Sequence, residues 1–457
     1  MKIRLYNARI LTMEKGRPVF WGEVQTAGGR IFHVAETGTE DGSRKNGKPS
    51  CGKTFCPEED GTGDGFRAER NSRGTEWDRE IDCKGDLLMP GFKNAHTHSA
   101  MTFLRSYADD VPLQQWLNEK VFPREALLSG EDIYHLAKLA VLEYLTSGIT
   151  AIFDMYLKPE EVARACTDTG MRCVLTSGLN NFTSSVEQQE EEYLKWNGEH
   201  SLVSYRLGFH SEYTCSKELL QGVAALARKY RAPVYTHLAE TKAEVEGCRE
   251  RYGMTPAVFL DSLGMFEYGG GGYHCVHMTE RDVEVFVRNG MYVVTNPASN
   301  LKLASGIAPV AEFVRRGIPV AVGTDGPASN NCLDMFREMF LVCGLSKIRE
   351  EDAASLDAFE VLRMATAAGA GTMGLGEADI LAEGRMADLI RIDLRQPNMQ
   401  PINNIPKNLV YSGSKANVLM TMVNGRILYE NGKFSVGEEA EDIYGSCERI
   451  VNRILYA

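Results

Sequence analysis

Two histidines separated by a single residue are the first side chains of this sequence that could do chemistry together. His96 and His98 end an apolar run that begins at Leu87. Residues i and i+2 of an extended chain project from the same face, so both imidazoles can reach one cation. Such a pair alone is weak evidence for a metal site, and further ligands are needed to support one.

Other candidate ligands also stand at the ends of short apolar runs. His237 and Asp325 each end such a run, far along the chain from the first pair. Three imidazoles and one carboxylate suit a first-row divalent metal that keeps an open position for water. The sequence therefore predicts a mononuclear hydrolytic site formed by His96, His98, His237 and Asp325.

The apolar runs that carry these residues alternate with helical patterns. Eight such runs lie between Leu87 and about Gly376, and most are followed by a helix-like segment, such as 133–145, 219–230 and 308–316. This alternation predicts a parallel sheet, and eight units over about 290 residues match the size of a (β/α)8 barrel. A doubly wound open sheet is the competing architecture, but no Gly-rich G-x-G-x-x-G turn follows the first run.

The residues at the ends of these runs favour the barrel. In such barrels the carboxyl ends of the strands line the active site, so reactive side chains collect there. Almost every run ends in a side chain capable of acid–base or metal chemistry: His96, Asp154, His210, His237, His274 and Asp325. We therefore predict an α/β fold in which a TIM-like (β/α)8 barrel spans residues 89–380.

Strand patterns at both ends of the chain predict a second, smaller domain. Residues 1–88 contain short strands before and after a polar, Gly-rich stretch at about 36–79, which we interpret as a loop insertion. Residues 381–440 show similar strands, including one at 409–411, and a hairpin turn. We expect the two ends to pair into one small discontinuous β-sandwich domain, followed by a terminal helix over 441–457.

The composition excludes several classes of protein. Of the 457 residues, 43% are hydrophobic and 25% charged, which excludes a wholly disordered or fibrous chain. The net charge is −12 and no basic run occurs, so we expect neither nucleic acid nor a membrane as a partner. We find no signal peptide and no run of ~20 apolar residues. Eleven scattered cysteines fit reduced thiols, so we expect a cytoplasmic protein. We separately expect the protein to form a homo-oligomer.

Five ordered motifs resemble the amidohydrolase superfamily, and within it the 5′-methylthioadenosine/S-adenosylhomocysteine deaminase family. They are PGFKNAHTH at 90–98, THLAET at 236–241, HCVH at 274–277, NPASNLK at 296–302 and GTDG at 323–326. The segment RSYADD at 105–110, with Trp116 and Glu125, stands where that family carries a substrate-facing segment. The resemblance covers nearly the whole chain apart from the insertion.

The resemblance implies one divalent metal ion per subunit, zinc before iron or manganese, held by His96, His98, His237 and Asp325. No lysine stands near the end of the fourth run, where His210 lies instead, so a lysine that bridges two metals is not expected. The implied reaction removes the 6-amino group of an adenosine-type nucleoside and gives the inosine analogue and ammonia. A bound metal lowers the pKa of its water from about 15.7 towards ~7, which supplies hydroxide at neutral pH.

The same resemblance implies roles for the side chains around the ion. Asp325 would accept a proton from the attacking water and pass it to the leaving amine. Glu240 would protonate N1 of the purine, for which its pKa must be raised by burial. His274 would orient and polarise the attacking hydroxide, although spacing alone does not choose between His274 and His277.

Three further residues are implied to bind the substrate. Glu125 matches a family carboxylate that accepts hydrogen bonds from ribose hydroxyls, and His210 matches a residue that contacts the substrate. Trp116 would pack on the 5′ substituent. Each also has a plain structural interpretation, with Trp116 in a helix core, Glu125 on the surface and His210 as a core histidine.

One position departs from the family pattern. Relatives that act on S-adenosylhomocysteine carry an arginine after the third strand, which grips the amino-acid carboxylate, and Ser177 stands there in this chain. Without that charge-assisted pair we expect 5′-methylthioadenosine, 5′-deoxyadenosine and adenosine to be at least equal substrates. Arg67, Arg70 or Arg73 of the insertion, from the same or a neighbouring subunit, would be another source of the charge.

The leading interpretation is a metal-dependent adenosine-type deaminase that acts on a small-molecule purine nucleoside. The first alternative is a hydrolase with the same site that acts on another N-heterocycle, such as a guanine deaminase or a triazine chlorohydrolase. An alternative of another class is a non-catalytic barrel scaffold. A scaffold has no chemical need for the ligand set together with Glu240, so we rank it last.

Overall fold

The structure is a computed structural model that describes residues 1–38 and 76–456. Most of the predicted insertion, with Arg67, Arg70 and Arg73, lies outside the described residues. The chain begins with five strands of a small sheet: β1 Lys2–Ile10, β2 Phe20–Ala27, β3 Arg30–Gly38, β4 Arg79–Asp82 and β5 Leu87–Pro90. Strand β1 is the centre of this part, because it pairs with β2, β4 and β5.

Eight parallel strands follow and form a barrel sheet in sequential order. They are β6 Phe92–Thr97, β7 Ile149–Tyr156, β8 Arg172–Ser177, β9 Val203–Ser211, β10 Val234–Leu238, β11 Gly270–His274, β12 Tyr292–Thr295 and β13 Val320–Val322. The seam between the first and last strands is bridged where the backbone N–H of Asp325 donates to the carbonyl oxygen of His96 at 3.0 Å. The predicted (β/α)8 barrel is confirmed.

The barrel strands are apolar because both of their faces are covered. Strand β7 is buried along its whole length, as expected for a parallel strand between a barrel interior and outer helices. Phe153, Tyr235 and Tyr273 pack together inside the barrel, so the interior is a packed core rather than a channel. The ring of His96 stacks on Tyr273 with 3.8 Å between ring centroids. The core therefore ends at a candidate metal ligand.

Helices connect most of these strands. The α-helices are Leu113–Gln115, Phe122–Glu125, Gly130–Thr146, Pro159–Thr169, Val186–Glu199, Lys217–Tyr230, Lys242–Tyr252, Pro256–Ser262, Glu280–Asn289, Pro297–Lys302, Val310–Arg315, Met335–Glu350, Ala358–Arg363, Gly369–Met373, Ile405–Tyr411 and Ala440–Leu455. Shorter 3-10 helices are Ser99–Leu104, Glu212–Thr214, Pro397–Met399 and Lys415–Asn417, and π-helical turns are Trp116–Val121 and Met364–Ala368. In the described ranges, no helix has both the length and the apolarity that crossing a bilayer requires.

Local capping explains where the helices begin. Before helix Gly130–Thr146, the hydroxyl of Ser129 accepts from the backbone N–H of Asp132, and the Asp132 carboxylate accepts from that of Ser129. This capping box satisfies two backbone donors that the first helical turn leaves free. The helix predicted over 133–145 is present and starts three residues earlier, because its cap lies outside the apolar pattern.

After the barrel, the chain returns to the small sheet. Four strands complete it: β14 Leu389–Ile392, β15 Val418–Val423, β16 Arg426–Glu430 and β17 Lys433–Phe434. Strand β14 pairs with β5, which joins the two chain ends in one nine-stranded sheet. Leu5, Leu389 and Met422 belong to one core, so both ends contribute to its packing. The predicted small β domain built from both chain ends is confirmed.

The apolar run 87–96 is not the single strand that we predicted. It breaks at Gly91, with β5 in the small sheet and β6 in the barrel. A Cβ atom at Gly91 would lie only 2.1 Å from Cγ2 of Thr150, so the crossing between the two sheets requires glycine.

The strand predicted at 409–411 is wrong, because these residues end helix Ile405–Tyr411. Asn404 caps this helix by accepting the backbone N–H of Lys407 on its Oδ1 at 2.9 Å. Pro406 lies in the first turn, where its missing N–H is harmless. A run of three apolar residues does not distinguish a strand from a helix. Here the cap formed by Asn404 favours the helix.

Candidate active site

The four predicted metal ligands meet at the carboxyl ends of the barrel strands. One ligand atom from each of His96, His98, His237 and Asp325 lies within 4.8 Å of the other three. His96 Nε2 is 3.2 Å from His237 Nε2. Asp325 Oδ1 is 3.1 Å from His98 Nε2 and 3.6 Å from His96 Nε2.

This donor set fits one divalent metal ion. The Nδ1–H of His98 donates to the carbonyl oxygen of Met155, and that of His237 donates to the carbonyl oxygen of His210 at 2.6 Å. These bonds orient both rings so that each Nε2 faces the other ligands. Four ligand atoms at ~2.0–2.1 Å from one zinc ion would lie roughly 3.3 Å apart, close to the separations of 3.1–3.6 Å given above and shorter than the 4.8 Å limit of the whole cluster.

The Asp325 carboxylate is held by three donors. Its Oδ2 accepts from the hydroxyls of Ser299 at 2.6 Å and Ser329 at 2.9 Å. Its Oδ1 accepts from the backbone N–H of Gly326 at 2.8 Å. The carboxylate therefore has a fixed orientation before any ligand binds. Ser329 was missed in the sequence, since no strand or motif marks it.

The glycines of the GTDG motif allow this turn to approach the histidines. A Cβ atom at Gly323 would lie 2.8 Å from Cβ of His96, and one at Gly326 would lie 3.2 Å from Cβ of His98. Asp325 between them has a left-handed backbone with φ of 59°. Close packing and tight turning together explain why two glycines flank the ligand.

Glu240 and His274 stand beside the cluster. His274 Nε2 lies 3.9 Å from Glu240 Oε2 and 4.0 Å from Asp325 Oδ2. The opposite ring nitrogen, Nδ1, donates to Oδ1 of Asn300 at 2.7 Å, so the NPASNLK motif orients this ring. His277 bonds instead to the carbonyl oxygen of Ser305 at 2.7 Å. Of the two histidines that spacing left open, His274 is the one beside the cluster.

Glu244 supports Glu240 and was not identified in the sequence. Its two carboxylate oxygens accept the backbone N–H groups of Ala239 at 2.7 Å and of Glu240 at 2.8 Å. Ala239 has a φ of 49°, so the carboxylate stabilises a strained turn that leads to Glu240. The pattern Thr241-x-x-Glu244 at a helix start is the signal that could have revealed it.

Asp154, in strand β7, lies behind the ligands. Its Oδ2 accepts the backbone N–H of Ser99, the residue after His98, at 2.8 Å. Burial raises the pKa of Asp154 to about 6, against the hydrogen bonds that Ser99 donates to it. The side chain therefore fixes the chain that leaves the His-x-His pair.

Burial controls the proton affinities around the site. It raises the pKa of Glu240 above its usual value and the pKa values of Glu125 and Glu244 to about 7. It holds the pKa values of His96 and His237 well below their usual value, so both rings are neutral. The neutral imidazole is the form that binds a metal ion.

The His98–Asp325 contact shifts its two partners in opposite directions. Burial would lower the pKa of His98, but the hydrogen bond and charge of Asp325 raise it to about 9, so a cation bound at Nε2 would have to displace a proton. Burial would raise the pKa of Asp325, but His98 holds it well below the usual value. Burial also lowers the pKa of His210 to about 4, which leaves a neutral ring in the cavity wall.

The cluster opens into a cavity of about 690 Å³. The structure places all three predicted binding residues, Trp116, Glu125 and His210, in its wall. Trp116 begins a π-helical turn, a deviation that often occurs at functional sites. The other predicted site residues in the wall are His98, His237, Glu240, His274 and Asp325, and His96 is fully buried.

The rest of the cavity wall is apolar or neutral. It consists of Met101, Leu113, Leu117, Asn118, Phe122, Ala126, Met155, Tyr156, Leu157, Gly178, Asn180, Asn181, Phe182, Thr183, Tyr213, Thr214, Leu303 and Ser329. Ser177 is buried beside it. Among the described residues, therefore, no lysine or arginine lines the cavity.

The barrel fold and the cluster of three histidines and one aspartate are those of a metal-binding barrel hydrolase. The chain belongs to the amidohydrolase family, whose model matches residues 87–428. The resemblance expected from the sequence motifs is thereby confirmed.

Individual relatives narrow the comparison. The chain is 39% identical, over 99% of both chains, to a protein of Pelotomaculum thermopropionicum named 5-methylthioadenosine/S-adenosylhomocysteine deaminase. It is 40% identical to a protein of Methanothermobacter thermautotrophicus named 5′-deoxyadenosine deaminase, over 79% of this chain and 86% of that one. The crystal structure of an adenosine deaminase from Xanthomonas campestris with bound zinc has a TM-score of 0.86 and 28% identity, and the match covers 100% of this chain and 98% of that one.

Proposed function

We propose that this protein is a metal-dependent hydrolase that deaminates adenosine-type nucleosides. Water replaces the 6-amino group of the purine, and the products are the inosine analogue and ammonia. The observation that carries the proposal is the convergence of four ligand atoms within 4.8 Å, with Glu240 and His274 beside them in one cavity. The names of the relatives support the same substrate class.

One divalent ion per chain is the proposed cofactor. His96, His98, His237 and Asp325 would hold it, and a donor set of imidazoles with one carboxylate suits zinc, with iron(II) or manganese(II) as alternatives. The zinc in the similar adenosine deaminase structure favours zinc. When bound, such an ion lowers the pKa of a coordinated water towards ~7.

Three side chains of this protein would move or hold the protons. Glu240 would hold a proton for N1 of the purine, because burial raises its pKa against the hydrogen bond that the hydroxyl of Ser305 donates to its Oε1 at 3.2 Å. Asp325 would accept the proton of the attacking water and deliver it to the leaving amine. His274, oriented by Asn300, would hold the nucleophile in line with C6.

The residues that line the cavity support an arrangement of the substrate within it. The purine would lie next to the metal ligands, and Glu125 would accept hydrogen bonds from the ribose hydroxyls. Glu125 is buried, and its Oε1 has no hydrogen-bond partner among the described residues, which leaves an acceptor for a ligand donor. His210 and Trp116 would contact the sugar and the 5′ substituent.

The preferred 5′ substituent is proposed to be small and uncharged. S-Adenosylhomocysteine carries an amino-acid carboxylate, which gains most from a bidentate arginine. The cavity wall of the described residues contains no such cation. 5′-Methylthioadenosine, 5′-deoxyadenosine and adenosine therefore fit the wall better.

A panel of nucleosides tests this function. Metal-loaded protein is mixed with adenosine, 5′-deoxyadenosine, 5′-methylthioadenosine and S-adenosylhomocysteine, and kcat/KM is measured from purine absorbance and ammonia release. We expect the three uncharged substrates to exceed S-adenosylhomocysteine by roughly tenfold or more. If metal-loaded protein changes the spectrum of none of them, the proposal fails. Turnover of guanine or of a chlorotriazine would then support the alternative activity on another N-heterocycle.

A further inference from the structure

The segment between strand β6 and helix Gly130–Thr146, residues 98–129, forms part of the cavity wall, and we call it the covering segment. It supplies Met101, Leu113, Trp116, Phe122 and Glu125 to the cavity wall. Its helical parts are the 3-10 helix Ser99–Leu104 and one continuous helical stretch over residues 113–125, in which a π-helical turn lies between two α-helical pieces. Isolated helices of this length are at best marginally stable in water, so contacts with the rest of the protein must fix their position.

Both ends of the covering segment are attached to helices outside the cavity. Near its start, the hydroxyl of Thr102 donates to the carbonyl oxygen of Leu136 at 3.0 Å. Near its end, the guanidinium of Arg124 donates to the carbonyl oxygen of Ile454 in the terminal helix at 3.3 Å. These contacts leave the stretch before Trp116 to be held by other groups.

Lys302, the last residue of the NPASNLK motif, holds that stretch. Its ammonium donates to Oδ1 of Asp109 at 2.6 Å, to the carbonyl oxygen of Ala328 at 2.8 Å and to Oδ1 of Asn331. All three N–H bonds of the ammonium are therefore used. The amide of Asn331 also donates to Oδ2 of Asp109 at 3.1 Å and to the hydroxyl of Ser106 at 3.0 Å.

The partners of Lys302 lie on two different parts of the site. Asp109 and Ser106 belong to the covering segment, in the RSYADD motif. Ala328 and Asn331 flank Ser329, whose hydroxyl holds the Asp325 carboxylate at 2.9 Å. Lys302 thus links the segment that carries Trp116 and Glu125 to the loop that orients Asp325.

The pKa of Asp109 and the partial burial of the Lys302–Asp109 pair agree with the hydrogen bonds between them. Burial alone would raise the pKa of Asp109, but the hydrogen bonds from Lys302 and Asn331 hold it below its usual value. The side chains of Lys302 and Asp109 are 20% and 35% exposed. The pair is therefore partly shielded from water, where a charge-assisted hydrogen bond is stronger than on an open surface.

We propose that Lys302 is a positioning residue that anchors the covering segment through Asp109 and thereby places Trp116 and Glu125 in the cavity wall. Its consequence for catalysis rests on the proposed function. Because Trp116 and Glu125 would bind the ribose and the 5′ substituent, a released segment weakens substrate binding more than it slows chemistry. The last residue of the NPASNLK motif and the RSYADD motif then form the two halves of one contact.

The test compares three variants of the metal-loaded full chain. Lys302→Met removes the ammonium and retains the length of the side chain, and Asp109→Asn removes one carboxylate from the covering segment. Asp110→Asn is the matched control, because it removes the neighbouring charge, keeps a residue that tolerates its φ of 60°, and breaks no ion pair with a described residue. Backbone hydrogen exchange of residues 105–125 is measured without substrate, followed by kcat, KM and metal content.

We expect exchange in residues 105–125 to be roughly tenfold faster in Lys302→Met and about threefold faster in Asp109→Asn, and unchanged in Asp110→Asn. With a substrate, KM is expected to rise by similar factors, while kcat and metal content change little. A merely structural effect would instead lower the stability without separating KM from kcat.

Two results would overturn the proposal. One is unchanged exchange in both Lys302→Met and Asp109→Asn. The other is a fall in kcat without a rise in KM in metal-loaded Asp109→Asn. If Lys302→Met does not fold, Asp109→Asn decides alone, because its side chain lies near the surface. If the parent protein deaminates no nucleoside, the proposed function fails, whereas the exchange measurement still decides whether Lys302 anchors the segment.

Discussion

The two ends of the barrel both bury charged side chains, but they use them differently. At the amino-terminal end of the strands, Arg172 donates to both carboxylate oxygens of Asp388, from Nε at 2.6 Å and from Nη2 at 3.1 Å. Lys93 is fully buried there, and its ammonium donates to the carbonyl oxygen of Gly91 at 2.8 Å and the hydroxyl of Thr150 at 2.9 Å. The charged donors at this end of the barrel are therefore hydrogen-bonded to acceptors of the protein itself.

At the carboxyl-terminal end, the polar atoms instead converge on one point and face a cavity. The Nε2 atoms of His96 and His237 lie 3.2 Å apart, and because Nδ1–H of His237 donates to the carbonyl oxygen of His210, Nε2 of this ring faces the cluster as an acceptor. The Arg172–Asp388 pair stabilises the contact between the barrel and the small β domain. The four atoms of the ligand cluster lie close together beside a cavity, an arrangement that fits a bound cation. The difference between the ends separates a structural ion pair from a candidate functional site.

Replacing a ligand should produce the largest effect on function. We expect His237→Ala to lose the metal and to lower turnover by about a thousandfold or more, because the ion would keep only three protein ligands and would lose one of its imidazoles. Metal content per chain and kcat/KM measure this. His277→Ala is the control, since its ring bonds to a carbonyl oxygen outside the cluster. A His237→Ala protein with a full equivalent of metal would contradict the ligand set.

A substitution at the amino-terminal end of the barrel strands should change the stability of the protein and leave its activity nearly unchanged. Asp388→Asn leaves the buried Arg172 without its charged partner, and we expect the free energy of unfolding to fall by about 3–5 kcal/mol. Urea denaturation measures this change, and kcat/KM of the folded variant should stay within about threefold of the parent. Lys229→Ala removes an ion pair with Glu190 whose lysine is 58% exposed, and it should change the stability by less than ~1 kcal/mol. If Asp388→Asn lowered kcat as strongly as it lowered stability, the two ends would not be independent.

Removing the proposed proton donor should separate chemistry from metal binding. We expect Glu240→Gln to retain the metal and to lower kcat about a hundredfold, because the amide cannot donate the proton that N1 requires. Glu246→Gln, an exposed position in the helix that follows, serves as the control. Full activity in metal-loaded Glu240→Gln would exclude this assignment.

The smallest expected effect concerns the charge of Lys93. Burial lowers its pKa from 10.5 to about 8 in the folded protein, so the unfolded chain binds more protons between these two values. The stability of the parent should therefore rise with pH over this range, an effect that Lys93→Met cannot show. Between pH 7 and 10 we expect the unfolding free energy of the parent to gain roughly 2–3 kcal/mol relative to the variant. Denaturant unfolding at both pH values measures the difference, and an equal pH dependence of the two proteins would contradict it.

Some features of this site could be read from the sequence because they repeat with the fold. Each barrel strand is a short apolar run, and parallel strands bring their carboxyl ends to one side of the barrel. His96, His98, His237, His274 and Asp325 follow this rule, so their positions along the chain predicted that they would meet. The resemblance to known motifs then supplied roles that spacing alone left open, including the choice of His274 over His277.

Other features depend on contacts between residues that no local pattern connects. Residues 409–411 have the composition of a strand, but the cap at Asn404 makes them helical. Glu244 holds the turn before Glu240 through two backbone hydrogen bonds, and Ser329 holds the Asp325 carboxylate through its hydroxyl. Such bonds depend on the path of the backbone in three dimensions, and the periodicity of apolar residues contains no information about them.

By itself, the sequence determined which side chains are available for chemistry, the eight-unit barrel that collects them and the pairing of the two chain ends. These follow from the alternation of apolar and polar residues, which reports burial. The tertiary structure alone decided which residues of the covering segment line the cavity and that Lys302 reaches Asp109, 193 residues away. An irregular segment has no repeating pattern of burial, and its position is set by a few long-range polar contacts that exist only after the barrel has formed.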